Sequence, residues 1–228
     1  MTTPAAAQRE ELLSLEEASR LILDGVTPLA AEQVDLGDAL GRVLAQPLVS
    51  LFTLPPWDNS AMDGFAVRAA DVESAARGNA VTLRVVGEVA AGHLAGRPVE
   101  PGTALRILTG APLPSGADAV VPVEDTDAQP GSAALPATVA ITRSTWPGEH
   151  VRRAGSDLRA GQPLLAAGTD LRPAHLAIAA AGGHGRLSVH RRPRVAVLAT
   201  GDELAQPGDQ LGPAQIPDSN SVGLVAQA

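Results

Sequence analysis

The sequence predicts a mixed α and β, multidomain chain of short helices and short β elements. Glycine (23) and proline (19) are too frequent among 228 residues for a helical bundle and mark many turns. Four short apolar β runs separated by turn signals lie between residues 82 and 142, the pattern of a small barrel or sandwich. Arg194-Val195-Ala196-Val197-Leu198-Ala199-Thr200 is by contrast continuously apolar, which suits a strand buried on both faces in a parallel sheet.

Residues 1–13 read as a disordered tail. Ser14 then precedes Leu15, Ala18, Leu21 and Ile22, with Glu17 three residues on and Gly25 beyond, a capping box opening a short amphipathic helix. A second short helix is expected around Leu36 to Leu44, interrupted by Gly41 and stopped before Pro47. Pro55 and Pro56 force an extended entry into a stretch whose Asp, Asn, Ser and Gly residues favour turns. The β runs follow: Thr82–Val86, Ala104–Thr109, Ala119–Val123 and Thr138–Thr142, with turns at Gly78-Asn79, Pro101-Gly102, Ser115-Gly116 and Pro130-Gly131. A further set of short β elements is expected past Trp146, and Pro173 to Ala181 reads as a helix with proline in its first turn. The apolar run ends at Gly201-Asp202-Glu203, and a helix is expected to begin near Asn220. A parallel strand and the start of its crossover helix need partner strands, so the chain is expected to be a piece of a longer protein.

Composition excludes several function classes. Hydrophobic residues make up 45% and charged residues 18%, ordinary for a chain with a buried core. All 17 basic residues are arginine; the absence of lysine removes Schiff-base chemistry and a P-loop lysine. The formal net charge of −8 argues against nucleic acid as a partner. The basic stretch Arg186 to Arg194 reads either as the solvated flank of a strand or as a contact surface. Zero cysteines remove disulfides and thiolate sites, and none of the five histidines has metal-ligand spacing with another. There is no bilayer-spanning run and no secretory signal between Met1 and Glu11, so the expectation is a soluble, cytoplasmic protein without a membrane partner.

Four segments could carry chemistry. Asp58 to Gly64 is either a polar loop holding acceptors toward a metal or a substrate hydroxyl, or a set of Asx turns. Arg106-Ile107-Leu108-Thr109-Gly110 is a strand ending in Thr-Gly; the Thr109 hydroxyl and the Gly110 N–H could face an anion, or the segment could be a rigid strand exit. Arg152-Arg153-Ala154-Gly155-Ser156-Asp157 offers an arginine pair for phosphate, or an Arg–Asp ion pair joining two loops. Thr200-Gly201-Asp202-Glu203 follows the apolar run. With Asp218-Ser219-Asn220 ahead of a helix, it suits a Mg²⁺-bridged phosphate.

Those segments, as Pro-Pro-Trp-Asp-Asn-Ser-Ala-Met-Asp-Gly-Phe-Ala-Val (55–67), Leu-Thr-Gly-Ala-Pro-Leu-Pro (108–114), Arg-Arg-Ala-Gly-Ser-Asp (152–157) and Thr-Gly-Asp-Glu-Leu (200–204), resemble the molybdopterin molybdenumtransferases, from about Ser14 onward. The resemblance implies a transferase of molybdenum cofactor biosynthesis. It would insert molybdate into adenylylated molybdopterin and release AMP, with Mg²⁺ required. It also implies an elongated homodimer, each active-site cleft shared by the third domain of one subunit and the second of the other, with other cofactor-biosynthesis proteins as candidate partners. Carried onto this chain, the catalytic residues would be Asp63, Thr109, Asp157 and Glu203. Asp58, Ser60, Gly110, Ser219 and Asn220 would bind substrate, and Asp202 with Glu203 would hold the metal. Asp157 has a structural alternative, bracing Arg152 or Arg153. The implied domains are a discontinuous first (14–53 with 146–180), a β-rich, barrel-like inserted second (54–145) and the start of a truncated α/β molybdopterin-binding-type third (181–228). Ser156 stands where an acidic residue is common in the family. The alternative is a non-catalytic dimerisation or scaffold module derived from that family.

Overall fold

A computed structural model describes residues 13–76, 78–131 and 133–228. In chain order its strands are β1 (Ala31–Asp35), β2 (Leu48–Val49), β3 (Asn59–Ser60), β4 (Gly64–Val67), β5 (Val81–Val89), β6 (Thr103–Ile107), β7 (Ala119–Pro122), β8 (Thr138–Ile141), β9 (Val151–Arg152), β10 (Pro163–Leu165), β11 (Arg186–His190), β12 (Leu204–Ala205) and β13 (Ile216–Pro217). Its α-helices are α1 (Leu15–Asp24), α2 (Pro173–Ala181) and α3 (Ser219–Gln227). No described helix is long and apolar enough to cross a membrane.

The four expected β runs become β5 to β8 and join β4 in one five-stranded sheet, ordered β7-β4-β6-β5-β8 and curled into a half-barrel rather than closed. β4 runs antiparallel to β6 and β7, whereas β5 is parallel to β6 and antiparallel to β8. All four residues of β4 are buried, so its side chains are apolar on both faces and its sequence lacks the alternation that marks a half-exposed strand. Phe65 and Val67 pack with Val121, Leu83, Val139 and Ile141 on one face. Ala66 packs with Val120, Leu105, Ile107 and Val89 on the other.

The long strand β5 changes faces. Leu83 and Val85 belong to the Phe65 side, yet Val89 belongs to the Leu105 side. A register shift between Val85 and Glu88 accounts for this: Val86 packs toward the Leu105 cluster, and a Cβ on Gly87 would lie 3.0 Å from Leu105 Cδ2, so two consecutive residues point the same way. Glu88 is thereby delivered opposite Arg106, with which it forms an ion pair.

A separate cluster of buried residues contains Leu44, Leu48, Leu171, Ala179, Leu187 and Val189. It is framed by antiparallel β1–β11 and β10–β2 pairs and by α2, which forms as expected, with Pro173 in its first turn and Gly182 at its C-cap. β11, expected to open a third unit, pairs with β1 instead, Ala31 opposite His190 through Asp35 opposite Arg186. β1 itself, Ala-Glu-Gln-Val-Asp, is almost wholly exposed and polar, so it takes strand form through its partner and not from its own pattern. Arg186 is exposed and pairs with Asp35 at 3.1 Å, in keeping with the solvated-flank reading of that basic stretch. The helix expected over 36–44 shortens to a single 3₁₀ turn, Leu36–Ala39, because Gly41 enters the left-handed region at φ +68°.

At the ends, α1 has the expected capping box: Ser14 Oγ accepts from Glu17 N–H, and the Glu17 carboxylate accepts from Ser14 N–H. None of its residues is buried. The expected tail falls on residues 1–12, outside the described residues, apart from Leu13. The apolar run 194–200 is not a strand; Leu198 is 90% exposed. A strand apolar on both faces needs a ladder on each side, and no described strand pairs with this one. Two-residue β12 and β13 pair in parallel just beyond it, and α3 starts at Ser219 with Asp218 as its N-cap.

Gly64 is where the sheet tolerates no side chain: a Cβ there would fall 2.0 Å from the Val121 carbonyl oxygen. Gly64→Ala is expected to lower unfolding stability by about 3 kcal/mol, since strand backbone must move to admit the methyl group. The urea midpoint reads the loss; an unchanged midpoint contradicts this account of the strand pairing.

Candidate functional site: a junction of three loops

Three of the four chemistry-bearing segments meet. β3 pairs with β9, placing Asn59 opposite Arg152 and Ser60 opposite Val151. From the other side, Ser60 N–H donates to the Ala111 carbonyl, Gly110 N–H to the Ser60 carbonyl and Leu113 N–H to the Asp58 carbonyl. The segment 58–63 is therefore a wedge, hydrogen-bonded to 108–113 along one edge and to 150–154 along the other. The prolines before it and the short polar side chains within it suit this role, because neither favours a helix.

Asp63 and Thr109 form the exposed corner of the junction. Asp63 Oδ1 accepts from both the Thr109 hydroxyl and the Thr109 N–H, each at 2.7 Å. The hydroxyl, then the amide, hold the Asp63 carboxyl below the usual carboxylate range. This arrangement corrects the anion reading of Thr109-Gly110. The Thr109 donors are committed to Asp63 and the Gly110 N–H to Ser60, so the corner presents a carboxylate rather than an anion cradle.

Asp58 braces the other edge. Its Oδ1 accepts from Ala154 N–H at 2.8 Å and its Oδ2 from Arg153 at 2.6 Å; the amide first, and then the guanidinium, lower its pKa. The ion pair joining two loops is thus present, but the acid is Asp58. The Asp157 carboxylate accepts from the Ser156 hydroxyl, its N–H donates to the Leu54 carbonyl, and the side chain is exposed. Bracing of Arg152 or Arg153 by Asp157 is not seen. Ser60 is fully buried, and its hydroxyl donates to the Met62 carbonyl while accepting Met62 N–H, so it holds a turn.

The fourth segment forms a separate place. Glu203 lines a cavity of about 400 Å³ with Asp218, Ser219, Asn220 and Ser221 at the start of α3. Asp218 accepts from Ser221, which lowers its pKa and leaves its carboxylate as a helix cap. Asp202 lines a different cavity, which it shares with Glu203. Among the described residues no three His, Cys, Asp or Glu side chains converge on a metal position. Mg²⁺ takes one or two carboxylates and completes its shell with waters and substrate phosphates, so Asp202 and Glu203 would be the protein ligands available to it here.

Sequence reasoning passed over Glu88 and Gln129 and gave Arg106 no role of its own; all three line a cavity of about 420 Å³ together with Asp63. The available signal was Arg106 itself, a charge between Leu105 and Ile107 in an otherwise apolar strand. It binds Glu88 and donates to the Ala134 carbonyl at 3.1 Å.

The lowered carboxyls of Asp58 and Asp63 stabilise the fold above their unfolded value of about 3.9, and that contribution is lost as pH falls through the lower folded values. Thr109→Val removes the hydroxyl donor and keeps the amide. The Asp63 titration followed by NMR is expected to move up, part of the way to the ordinary value, while that of Asp58 stays in place. An unmoved Asp63 midpoint would show that the hydroxyl does not hold the carboxylate.

The family model described as "MoeA N-terminal region (domain I and II)" matches residues 13–183. "Molybdopterin molybdenumtransferase 2" of Mycobacterium tuberculosis is 44% identical over 213 residues, 93% of this chain and 51% of the relative. The molybdopterin molybdenumtransferase of Nostoc is 42% identical over 217 residues, 93% of this chain and 48% of the relative. The chain thus spans about half the length of the curated relatives it matches. The crystal structure of a molybdopterin biosynthesis moeA protein from Pyrococcus horikoshii superposes with a TM-score of 0.84 at 34% identity, covering 95% of this chain and 56% of that one. The wedge between three loops and the half-barrel beside it are therefore features of a chain that belongs to the MoeA family, matched through that family's N-terminal region.

Proposed function

We propose that this chain is the N-terminal part of a molybdopterin molybdenumtransferase, which inserts molybdate into adenylylated molybdopterin and releases AMP. Homologues of that name across nearly the whole chain support a role in molybdenum cofactor biosynthesis. The single structural observation that carries the reading is the Asp63–Thr109 corner: an exposed carboxylate fixed by two hydrogen bonds at the meeting point of three family motifs. A group held in one geometry costs little reorganisation when a substrate arrives.

In this reading Asp63 and Thr109 face a cleft completed by a second copy, which supplies Glu203, Ser219 and Asn220 from the start of α3. Asp58, Arg153, Ser60 and Gly110 are positioning residues that keep the corner in place. Asp157 remains a candidate contact on the exposed side of the loop. A Mg²⁺ requirement belongs to the same reading: Asp202 and Glu203 would hold the ion, with waters and substrate phosphates completing its shell, and the ion would neutralise charge on the phosphates. The β-rich unit 54–145 would be an insertion between segments 14–53 and 146–180, the latter lengthened to residue 190 by the β1–β11 pairing, and the working location would be the cytoplasm.

Intersubunit complementation tests this. In the full-length enzyme, Asp63→Asn and Glu203→Gln are each expected to cost about 100-fold or more in molybdate-dependent AMP release, with unchanged circular dichroism. Mixing the two inactive variants under subunit exchange is expected to restore activity, since one cleft of the mixed dimer then holds both native residues. Wild-type rates in either variant remove that residue from the mechanism, and failed restoration in a demonstrated mixed dimer excludes the shared cleft.

A further inference from the structure

The cavity beside Asp63 has a chemistry of its own. It opens on the Phe65 face of the sheet, at the end where β4 and β6 leave the core, and holds about 420 Å³. Phe65, Leu108 and Val123 give it apolar walls; Asp63, Glu88 and Gln129 give it polar atoms. Asp63 uses Oδ1 on Thr109, and Glu88 uses Oε2 on Arg106. Among the described residues, the second oxygen of each carboxylate accepts no hydrogen bond. Arg106 pairs with Glu88 and donates to the Ala133 and Ala134 carbonyls, while the Asp63 carboxylate is held by the neutral donors of Thr109.

The cavity thus combines one uncompensated carboxylate and one carboxamide with apolar walls. That set disfavours an anion such as molybdate or phosphate, because bringing like charge beside Asp63 is unfavourable. It favours a planar heterocycle carrying two adjacent N–H donors and a neighbouring carbonyl. The free oxygens, Asp63 Oδ2 and Glu88 Oε1, can each take one N–H donor, and a carboxamide N–H₂ serves the carbonyl. The 2-amino-4-oxopyrimidine ring of a pterin has that edge, with N3–H and the 2-amino group side by side and O4 next to them. Adenine sets the acceptor N1 beside its amino group, which a carboxylate repels.

We infer that this cavity receives the aminopyrimidinone edge of the pterin, the free oxygens of Asp63 and Glu88 taking its N–H donors and Gln129 acting as a specificity-determining residue through O4. The inference rests on the proposed function for the identity of the heterocycle, and it adds a site and an orientation.

The test is fluorescence titration of the full-length polypeptide with 6-hydroxymethylpterin, followed by displacement with AMP. Saturable quenching is expected, with AMP displacing none of it. Leu108→Trp fills the cavity from a partly exposed position, and Gln129→Leu lies in an exposed loop. Each is expected to weaken pterin binding about tenfold or more with unchanged circular dichroism. Wild-type pterin affinity in both variants, displacement by AMP, or no pterin binding at all would overturn the inference. Molybdate insertion is measured on the same preparations. Activity with a wild-type KM in both variants sinks the cavity and leaves the proposed function standing. Pterin binding lost in the variants, with no insertion even by the wild type, sinks the function and leaves the cavity.

Discussion

The constraint on which the β-rich half depends is the close approach of Gly64 to the backbone of β7. Because that residue has no side chain, β4 can lie between β6 and β7 with every one of its residues buried. The position of β4 fixes that of Asp63 one residue earlier, whose main-chain carbonyl accepts Val123 N–H while its carboxylate accepts from Thr109. The chemical corner is thus an extension of strand pairing, held by backbone geometry at one end and by a doubly donating threonine at the other. A carboxylate so placed keeps its charge and direction whether or not a substrate is near.

Arginine supplies the second kind of order. In a chain with net charge −8 and no lysine, cationic side chains serve as struts between segments remote in sequence. Arg153 reaches Asp58, Arg143 reaches Asp125 and Glu149, and Arg42 reaches Glu32 and the His190 carbonyl. A planar guanidinium can bind two acceptors at once, as Arg42 and Arg143 do here, and an ammonium does so with less directional control. Exposed members of this set add little stability on their own, and their effect is chiefly on loop geometry.

What could be read from the residues follows the range of the forces involved. The capping box of α1, the proline start of α2 and β5 to β8 are set by local pattern, and the sequence states them directly. β1 and β4 were not legible, since one is polar and takes its form from β11, and the other is four residues buried on both sides behind a turn-rich stretch. The run 194–200 misled for the converse reason: its apolar pattern asks for neighbours that the described residues do not provide. At the site, motif spacing named Asp58, Asp63, Thr109 and Arg153 but not who bonds whom. The Asp58–Arg153 and Asp63–Thr109 pairs span 95 and 46 residues, and contacts of that range depend on the completed fold.

The bulge in β5 gives the fold a sensitivity to length that substitutions would not reveal. Val86 and Gly87 occupy one side together, and every residue after them is out of phase with those before. Deleting one residue there would return the strand to simple alternation, turn Val89 out of its cluster and carry Glu88 away from Arg106. Chain length between Val85 and Glu88 is accordingly under tighter constraint than side-chain identity, and inherited variation in this strand should consist of replacements and not of gaps.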